Sequence, residues 1–325
     1  MSARLEKPVF IISFDCEGKW GFADNISSHQ QNMLTNTRLE IVYRELIERL
    51  GQCGVRATFA FVAALTMSVK EYRASSELFN RSSKGTRHWL RQFDADVANE
   101  IYDGWLNPQL LEIVRSLKTH EIASHGFMHL PADGHLASHA DFMTEMKCAR
   151  TIWQAKQIRP TTFVYPRNLV CYQRALSEFG LIGYRENLFG TSGKLRRALS
   201  LASEFNTHQG AQSGKGKTGG VVRVPAGYFL NWRRGIRQRI PIAVTLKRWR
   251  HLINDAITHN KVVHLWSHPH NYIDGDSQQE VLTKVLEMVS VAMDKGDIVN
   301  WTVEEYCRKL LEGSSRLIVD TGQTA

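Results

Sequence analysis

Residues 9–18 read Val-Phe-Ile-Ile-Ser-Phe-Asp-Cys-Glu-Gly, a short apolar run over Val9–Phe14 that stops at the acids Asp15 and Glu17. A strand buried on both faces looks like this when its C-terminal end opens on a site. Such a strand should be followed by a helix. Thr37–Leu50 supplies one, with Leu39, Val42, Tyr43, Leu46, Ile47 and Leu50 on a single face and Gly51 and Gly54 available to stop it.

The strand-then-helix pattern recurs down the chain. Val55–Leu65, Glu121–Ser124, Thr162–Tyr165, Val221–Val224 and Val262–Trp266 read as strands, and Pro108–Thr119 and Phe142–Ile158 as helices, the latter closed by Pro160. Ser277-x-x-Glu280 and Thr302-x-x-Glu305 carry the capping-box pattern of two late helices. This alternation predicts parallel strands with crossover helices, hence an α/β barrel or an open doubly wound sheet. Residues 75–107 and 206–220 break the rhythm and read as insertions into one domain spanning 1–325, either binding loops or surface decoration.

With 325 residues, 43% hydrophobic and 22% charged, the chain can bury a substantial core and is neither disordered nor fibrous. Its 41 basic and 32 acidic residues give a net charge of +9, which favours anionic partners. The five cysteines are scattered without a C-x-x-C pair, which argues against a disulfide or zinc-finger framework and for a reducing compartment. The N-terminal apolar run is too brief for a signal peptide, so a cytoplasmic location is expected, with possible peripheral contact to the inner membrane face.

The residues able to carry chemistry cluster after the apolar runs. Period-2 alternation puts Asp15 and Glu17 on the same side of an extended chain, where two like charges need a cation or a shared proton; the alternative is an acidic turn facing water. His125 and His129 stand at i, i+4, which in a helical turn brings both imidazoles to one face and allows them to share a metal ion. His264, His268 and His270 form a third group, in which at least one member is expected to be structural. Arg167, in Phe-Val-Tyr-Pro-Arg-Asn, could hold a carboxylate through its guanidinium fork. All four groups fall at the carboxyl ends of expected strands, the edge where α/β folds place their sites. Two carboxylates, a histidine pair and a further histidine suit a mononuclear metal site with an open position, a carboxylate base and a histidine acid.

The order of these motifs, from Ser-Phe-Asp-Cys-Glu-Gly through His-Glu-Ile-Ala-Ser-His-Gly-Phe-Met-His to Leu-Trp-Ser-His-Pro-His and Asn-Trp-Thr-Val-Glu-Glu-Tyr, resembles the NodB-homology polysaccharide deacetylases, carbohydrate esterase family four. The resemblance covers most of the chain. It implies a distorted (β/α) barrel with fewer than eight units, and one divalent metal, commonly zinc, used to remove acetyl groups from sugars. It implies Asp15 as base, Glu17, His125 and His129 as metal ligands, and His268 as the acid that protonates the leaving group. The family's first motif has adjacent aspartates, whereas here Cys16 intervenes and is itself a candidate ligand. The family's bracing arginine precedes the proline of its third motif; here Val164 has that place and Arg167 follows the proline, which makes Arg167 the candidate brace. Trp232 is the candidate for the acetyl-methyl pocket. The implied partners are an acetylated sugar, a glycan or a lipid-linked precursor.

Two rival readings stand beside this one. The same scaffold could hydrolyse a non-sugar C–N bond in a ureide or cyclic amide. A non-catalytic binder of anionic polymer or membrane would use the basic stretch 232–250, in which Arg233, Arg234, Arg237, Arg239, Lys247, Arg248 and Arg250 interleave with Trp232 and Trp249. No nucleic-acid fold signature accompanies that stretch.

Overall fold

The first strand is the hub of the architecture. A computed structural model describes residues 5–80, 83–131, 134, 136–188, 206, 208–214, 216–230, 233–273 and 275–321. Its strands are β1 (Val9–Cys16), β2 (Thr58–Phe61), β3 (Glu121–Ser124), β4 (Thr162–Phe163), β5 (Gly183–Arg185), β6 (Lys217–Thr218), β7 (Val221–Val224), β8 (Tyr228–Phe229), β9 (Val262–Ser267) and β10 (Val299–Asn300). The α-helices are α1 (Ser28–Met33), α2 (Asn36–Gln52), α3 (Val69–Ala74), α4 (Lys84–Ala98), α5 (Pro108–Arg115) and α6 (His139–Ala155). Three more follow: α7 (Ile242–His259), α8 (Asp276–Asp294) and α9 (Val303–Thr321).

The sheet runs in the order β6-β7-β5-β4-β3-β2-β1-β9-β8, with β10 added alongside the start of β1. Every described pairing between these strands is parallel except β6 with β7, and an isolated antiparallel bridge joins Gln212 to Val262. Nine strands curl through 205° into a half-barrel with helices around it, the distorted (β/α) barrel that the family resemblance implies, rather than an open doubly wound sheet. Curling follows from the right-handed twist between neighbouring strands, and parallel strands need helical crossovers on the outer face.

Alternation along β1 explains both cores. Phe10, Ile12, Phe14 and Cys16 face outward into the main cluster, where the buried stripe of α2 (Leu39, Val42, Tyr43, Leu46, Ile47, Leu50) meets them. Val9 and Ile11 face the concave side, with Val222, Val224 and Val262, and are covered there by Val303, Tyr306, Cys307 and Leu310 of α9. Gly183 makes this plug possible, because a Cβ there would lie 2.1 Å from Cys307 Sγ. At roughly 1.5–3 kcal/mol for each fully buried aliphatic or aromatic side chain, α9 closes one end of the half-barrel firmly. Ser13 and Asp15 continue the same inward face toward the other, open end, so the strand direction alone delivers polar groups to the site.

Several local expectations are refined. Strand β2 is confined to Thr58–Phe61, and Ala63–Thr66 coils into a 3-10 turn instead of extending to Leu65. The Thr302 box forms, with Thr302 N–H donating to Glu305 Oε2 (2.9 Å) and Glu305 N–H to Thr302 Oγ1 (3.2 Å). The Ser277 box does not, since α8 already begins at Asp276 behind Gly275 and leaves Ser277 inside the first turn. Residues 75–107 contain α4, and the rings of Phe79, Phe93 and Trp105 pack on buried Trp20 at 6.1, 4.7 and 4.9 Å. That segment is part of the main core rather than a flap outside it. No described helix is long and apolar enough to cross a membrane.

Candidate active site

Glu17 leaves β1 one residue past its end and turns into the mouth of the half-barrel, where it is 6% exposed. Its carboxylate lies directly beneath Gly21, where a Cβ would come within 2.1 Å of Oε1. Glu17 Oε2 is 2.9 Å from His129 Nε2 and 3.6 Å from His125 Nε2, and Oε1 is 3.6 Å from His268 Nε2. Among the described residues, Glu17, His125 and His129 form a buried cluster whose potential ligand atoms all lie within 4.8 Å of one another.

The histidine pair converges by a route other than the expected helical turn. The chain after β3 is a loop with Gly126 at φ 82° and His129 at φ 59°, so the i, i+4 spacing is folded by left-handed residues. Such a backbone costs on the order of 1–3 kcal/mol at a non-glycine residue and persists only where its surroundings fix it. Those surroundings are visible. Phe127 and Met128 N–H donate to Glu145 Oε2 of α6 (3.1 and 3.0 Å), and Trp89 Nε1–H of α4 donates to Met128 O (2.8 Å).

The donor set fits a divalent cation. His125 Nδ1 is 2.7 Å from the Val164 carbonyl and must donate to it, which leaves Nε2 as the ring atom that faces Glu17 and is able to bind a metal. That Nε2 and both ring nitrogens of His129 are buried without a hydrogen-bond partner. Burial holds His129 below its ordinary pKa in spite of the opposing Glu17 charge, so it is a neutral imidazole. Burial alone would raise Glu17, yet the imidazoles of His129, His268 and His125 hold it well below the carboxylate range. Two imidazoles and one ionised carboxylate are a donor set suited to catalytic zinc.

Asp15, 3% exposed, stands beside this cluster and is gripped by a residue the sequence reading did not single out. Arg185, at the end of β5, crosses the half-barrel and places Nη1 and Nη2 at 2.7 and 2.6 Å from the two carboxylate oxygens. Burial would raise Asp15, but the charge and hydrogen bonds of Arg185 outweigh it and hold the group below its ordinary value. Arg185 is itself positioned on every side. Asn168 Oδ1 accepts from Nε (3.2 Å) and Nη2 (2.7 Å), and Trp266 lies under the guanidinium at 4.7 Å. Nη1 also donates to Ser13 Oγ (3.2 Å), which is 2.8 Å from His264 Nε2, while His264 Nδ1 donates to the Pro225 carbonyl (2.7 Å). Burial and the Arg185 charge push His264 down to about 3, so its neutral ring accepts the Ser13 hydroxyl proton and turns that oxygen toward Arg185.

Arg167 does not brace the base. It makes a bidentate pair with Asp24 (2.9 and 2.5 Å) and stacks over Trp89 at 4.8 Å, on the outer side of the turn whose inner residue, Asn168, holds Arg185. Arg167 and Asn168 both adopt positive φ, 56° and 53°, and this sharp turn sends the two side chains in opposite directions. Cys16 is also removed from the site, since its thiol faces the α2 side, donates to Phe14 O and is kept protonated by burial. Of the late histidines, His264 and His270 are buried, and burial lowers His270 to about 3. His268 is 20% exposed in its side chain and stacks on His270 at 4.8 Å. Asn271 Nδ2 lies 3.4 Å from His268 Nδ1, and Nε2 is the ring nitrogen turned toward Glu17. Trp266 and Phe229, half-buried and 4.6 Å apart, form an apolar wall against His268. Trp232 lies outside the described residues. In the basic stretch, Arg248 and Trp249 are buried and Arg248 stacks on Tyr228 at 5.3 Å, so the charges do not form one continuous exposed face.

Arg185 carries a signal that was open to reading: Leu-Ile-Gly-Tyr-Arg-Glu is another short apolar run ending in charge. Glu145, inside the helix α6, and Trp89, inside α4, carried none.

No family sequence model matches the chain, and no curated relative does. Solved structures do share the fold. A Mycobacterium smegmatis protein provisionally described as a polysaccharide deacetylase aligns over 96% of this chain and 94% of its own, with TM-score 0.58 and 16% identity. A Pseudomonas aeruginosa PAO1 protein described in the same provisional way aligns over 92% and 89%, with TM-score 0.53 and 11% identity.

Proposed function

We propose that this chain is a metal-dependent hydrolase that removes an acetyl group from an N-acetylated sugar of a surface polysaccharide or its precursor. The observation that carries the reading is the buried convergence of Glu17, His125 and His129 beside an aspartate held ionised by Arg185. The structural likeness to two proteins described as polysaccharide deacetylases supports it. A polyanion binder has no need of buried ionised carboxylates facing imidazole nitrogens.

Glu17, His125 and His129 would hold the cation, taken to be zinc. When bound there, it supplies Lewis-acid polarisation of the acyl carbonyl and makes a water more acidic. Asp15 accepts the proton of the attacking water, and Arg185 fixes which carboxylate lone pair does so. Held low, Asp15 is ionised throughout the neutral range and so is always in the form that accepts a proton. His268 in its imidazolium form would deliver the Nε2 proton to the departing amine and be left as neutral imidazole. The Trp266–Phe229 wall excludes water from the acyl side and offers an apolar surface to a methyl group.

We infer an acetylated sugar, glycan or lipid-linked precursor as substrate, handled in the cytoplasm, where five free thiols persist. The test is acetate release by zinc-loaded protein from chitin oligosaccharides, monosaccharides and sugar phosphates. Release by wild type and its loss in Asp15→Asn, with zinc still bound, is the expected pattern. Stoichiometric zinc with no acetate from any sugar, together with ammonia release from ureides, would replace the reading.

A further inference from the structure

Resting on this reading, we propose that Arg167 is the recognition site for an oxyanion on the substrate, a phosphate or carboxylate carried by the acetylated sugar, and that Asp24 occupies it until substrate arrives.

The placement is specific. The indole of Trp89 lies 4.8 Å beneath the Arg167 guanidinium and 6.1 Å from the His129 ring, so a single aromatic side chain separates Arg167 from the metal-ligand cluster. Asp24 belongs to the loop that follows Glu17, and Phe22 two residues before it packs against His270 at 5.3 Å. The Arg167–Asp24 pair therefore rests on the rim of the cleft rather than on a remote surface. Its side chains are 37% and 28% exposed, in contrast to the Arg185–Asp15 pair, exposed by 0% and 4%.

The backbone points the same way. Arg167 sits at φ 56°, a conformation that disfavours any side chain with a Cβ, and no described hydrogen bond of its side chain other than that to Asp24 uses the position. Strain of this kind collects at ligand clamps. Arg167 lies over Trp89 and presents its fork to the two Asp24 oxygens, the geometry that matches a carboxylate or phosphate edge with two parallel hydrogen bonds. Asp24 is the stand-in for that edge. A partly exposed ion pair is worth little in water, so releasing Asp24 costs less than the charge-assisted bidentate bonds return when a bound, desolvated substrate oxyanion takes the same fork. The net charge of +9 adds a long-range pull on an anionic substrate.

The pair gives the two partners opposite roles, which makes the inference testable apart from turnover. Binding of N-acetylglucosamine, N-acetylglucosamine-1-phosphate and N-acetylmuramic acid to the zinc-loaded full chain is measured by calorimetry for wild type, Arg167→Met and Asp24→Asn. Wild type is expected to prefer at least one anionic sugar over the neutral one by about tenfold or more, and the phosphate and carboxylate arms identify which anion is used. Arg167→Met should bring that ratio to near one, and Asp24→Asn should raise it, because the internal competitor is removed. Equal binding of all three sugars by wild type, or a ratio that falls in both variants, would overturn the proposal. Anion preference lost only in Arg167→Met, without acetate release from any sugar, would keep this site while removing the deacetylase reading. Acetate release that is indifferent to substrate charge would do the reverse.

Discussion

Replacing Arg185 with methionine isolates the most heavily constrained contact in the cleft. The substitution removes two charge-assisted hydrogen bonds of 2.7 and 2.6 Å from a carboxylate only 3% exposed, and no other arginine or lysine makes a described ion pair with Asp15. Breaking one side of a buried pair costs about 3–5 kcal/mol, since the surviving charge is left desolvated. Burial is already the largest influence on Asp15 and acts to raise it, so without the guanidinium the group moves upward and takes up a proton. In the enzyme this appears as an acidic limb of the kcat/KM profile displaced to higher pH, with turnover at neutral pH lowered by about 10²–10⁴, the worth of a general base. Arg185→Lys should fall between, because an ammonium gives one point charge where the fork gives two bonds. Thermal melts supply a check independent of turnover. Arg185→Met should be markedly destabilised, and adding Asp15→Asn should restore part of the loss by removing the orphaned charge. An unmoved acidic limb, or additive destabilisation in the double variant, would refute the reasoning.

His268→Asn should lower kcat by about 10²–10⁴ with zinc content unchanged, and least for substrates with an activated leaving group, because only proton donation is removed; equal loss on activated esters would contradict the acid role. Glu145→Gln should weaken zinc affinity by about 10–100-fold through the His125–His129 loop, measured by competition with a chelating dye, and unchanged affinity would show that the loop holds itself. Glu121 is buried against Thr58 and Thr162 and takes the Glu304 N–H at the start of α9 (2.8 Å). Burial raises it to about 7. A raised acid favours the folded state below its unfolded value and loses that contribution as pH climbs through the folded one. Wild type should therefore lose about 3 kcal/mol relative to Glu121→Gln between pH 4.5 and 8, and a constant stability difference across that range would reject the assignment.

Much of this arrangement was legible before any coordinates. A short apolar run stopped by Asp15 reads as a buried strand with polar groups at its exit, and the repeat of short strand-like runs at Glu121–Ser124 and Val262–Trp266 predicts parallel strands. What escaped has physical reasons. The His125–His129 convergence depends on left-handed backbone held by Glu145 and Trp89, side chains distant in sequence, so spacing alone suggested a helix that is absent. Arg167 follows one short strand and Arg185 ends another, and a linear reading cannot tell which reaches across the half-barrel. Curvature decides it, by bringing the end of β5 opposite β1 with Asn168 between. Burial of Arg248 and Trp249 follows from the packing of α7, information that a tally of charges does not contain.

The central claim is that Glu17, His125 and His129 hold one divalent ion. Elemental analysis of purified protein after zinc loading and desalting, for wild type beside His125→Ala and Glu17→Ala, addresses it most directly. One equivalent in wild type and a marked loss in both variants is the predicted result; wild type without bound metal, or variants that retain a full equivalent, would contradict it.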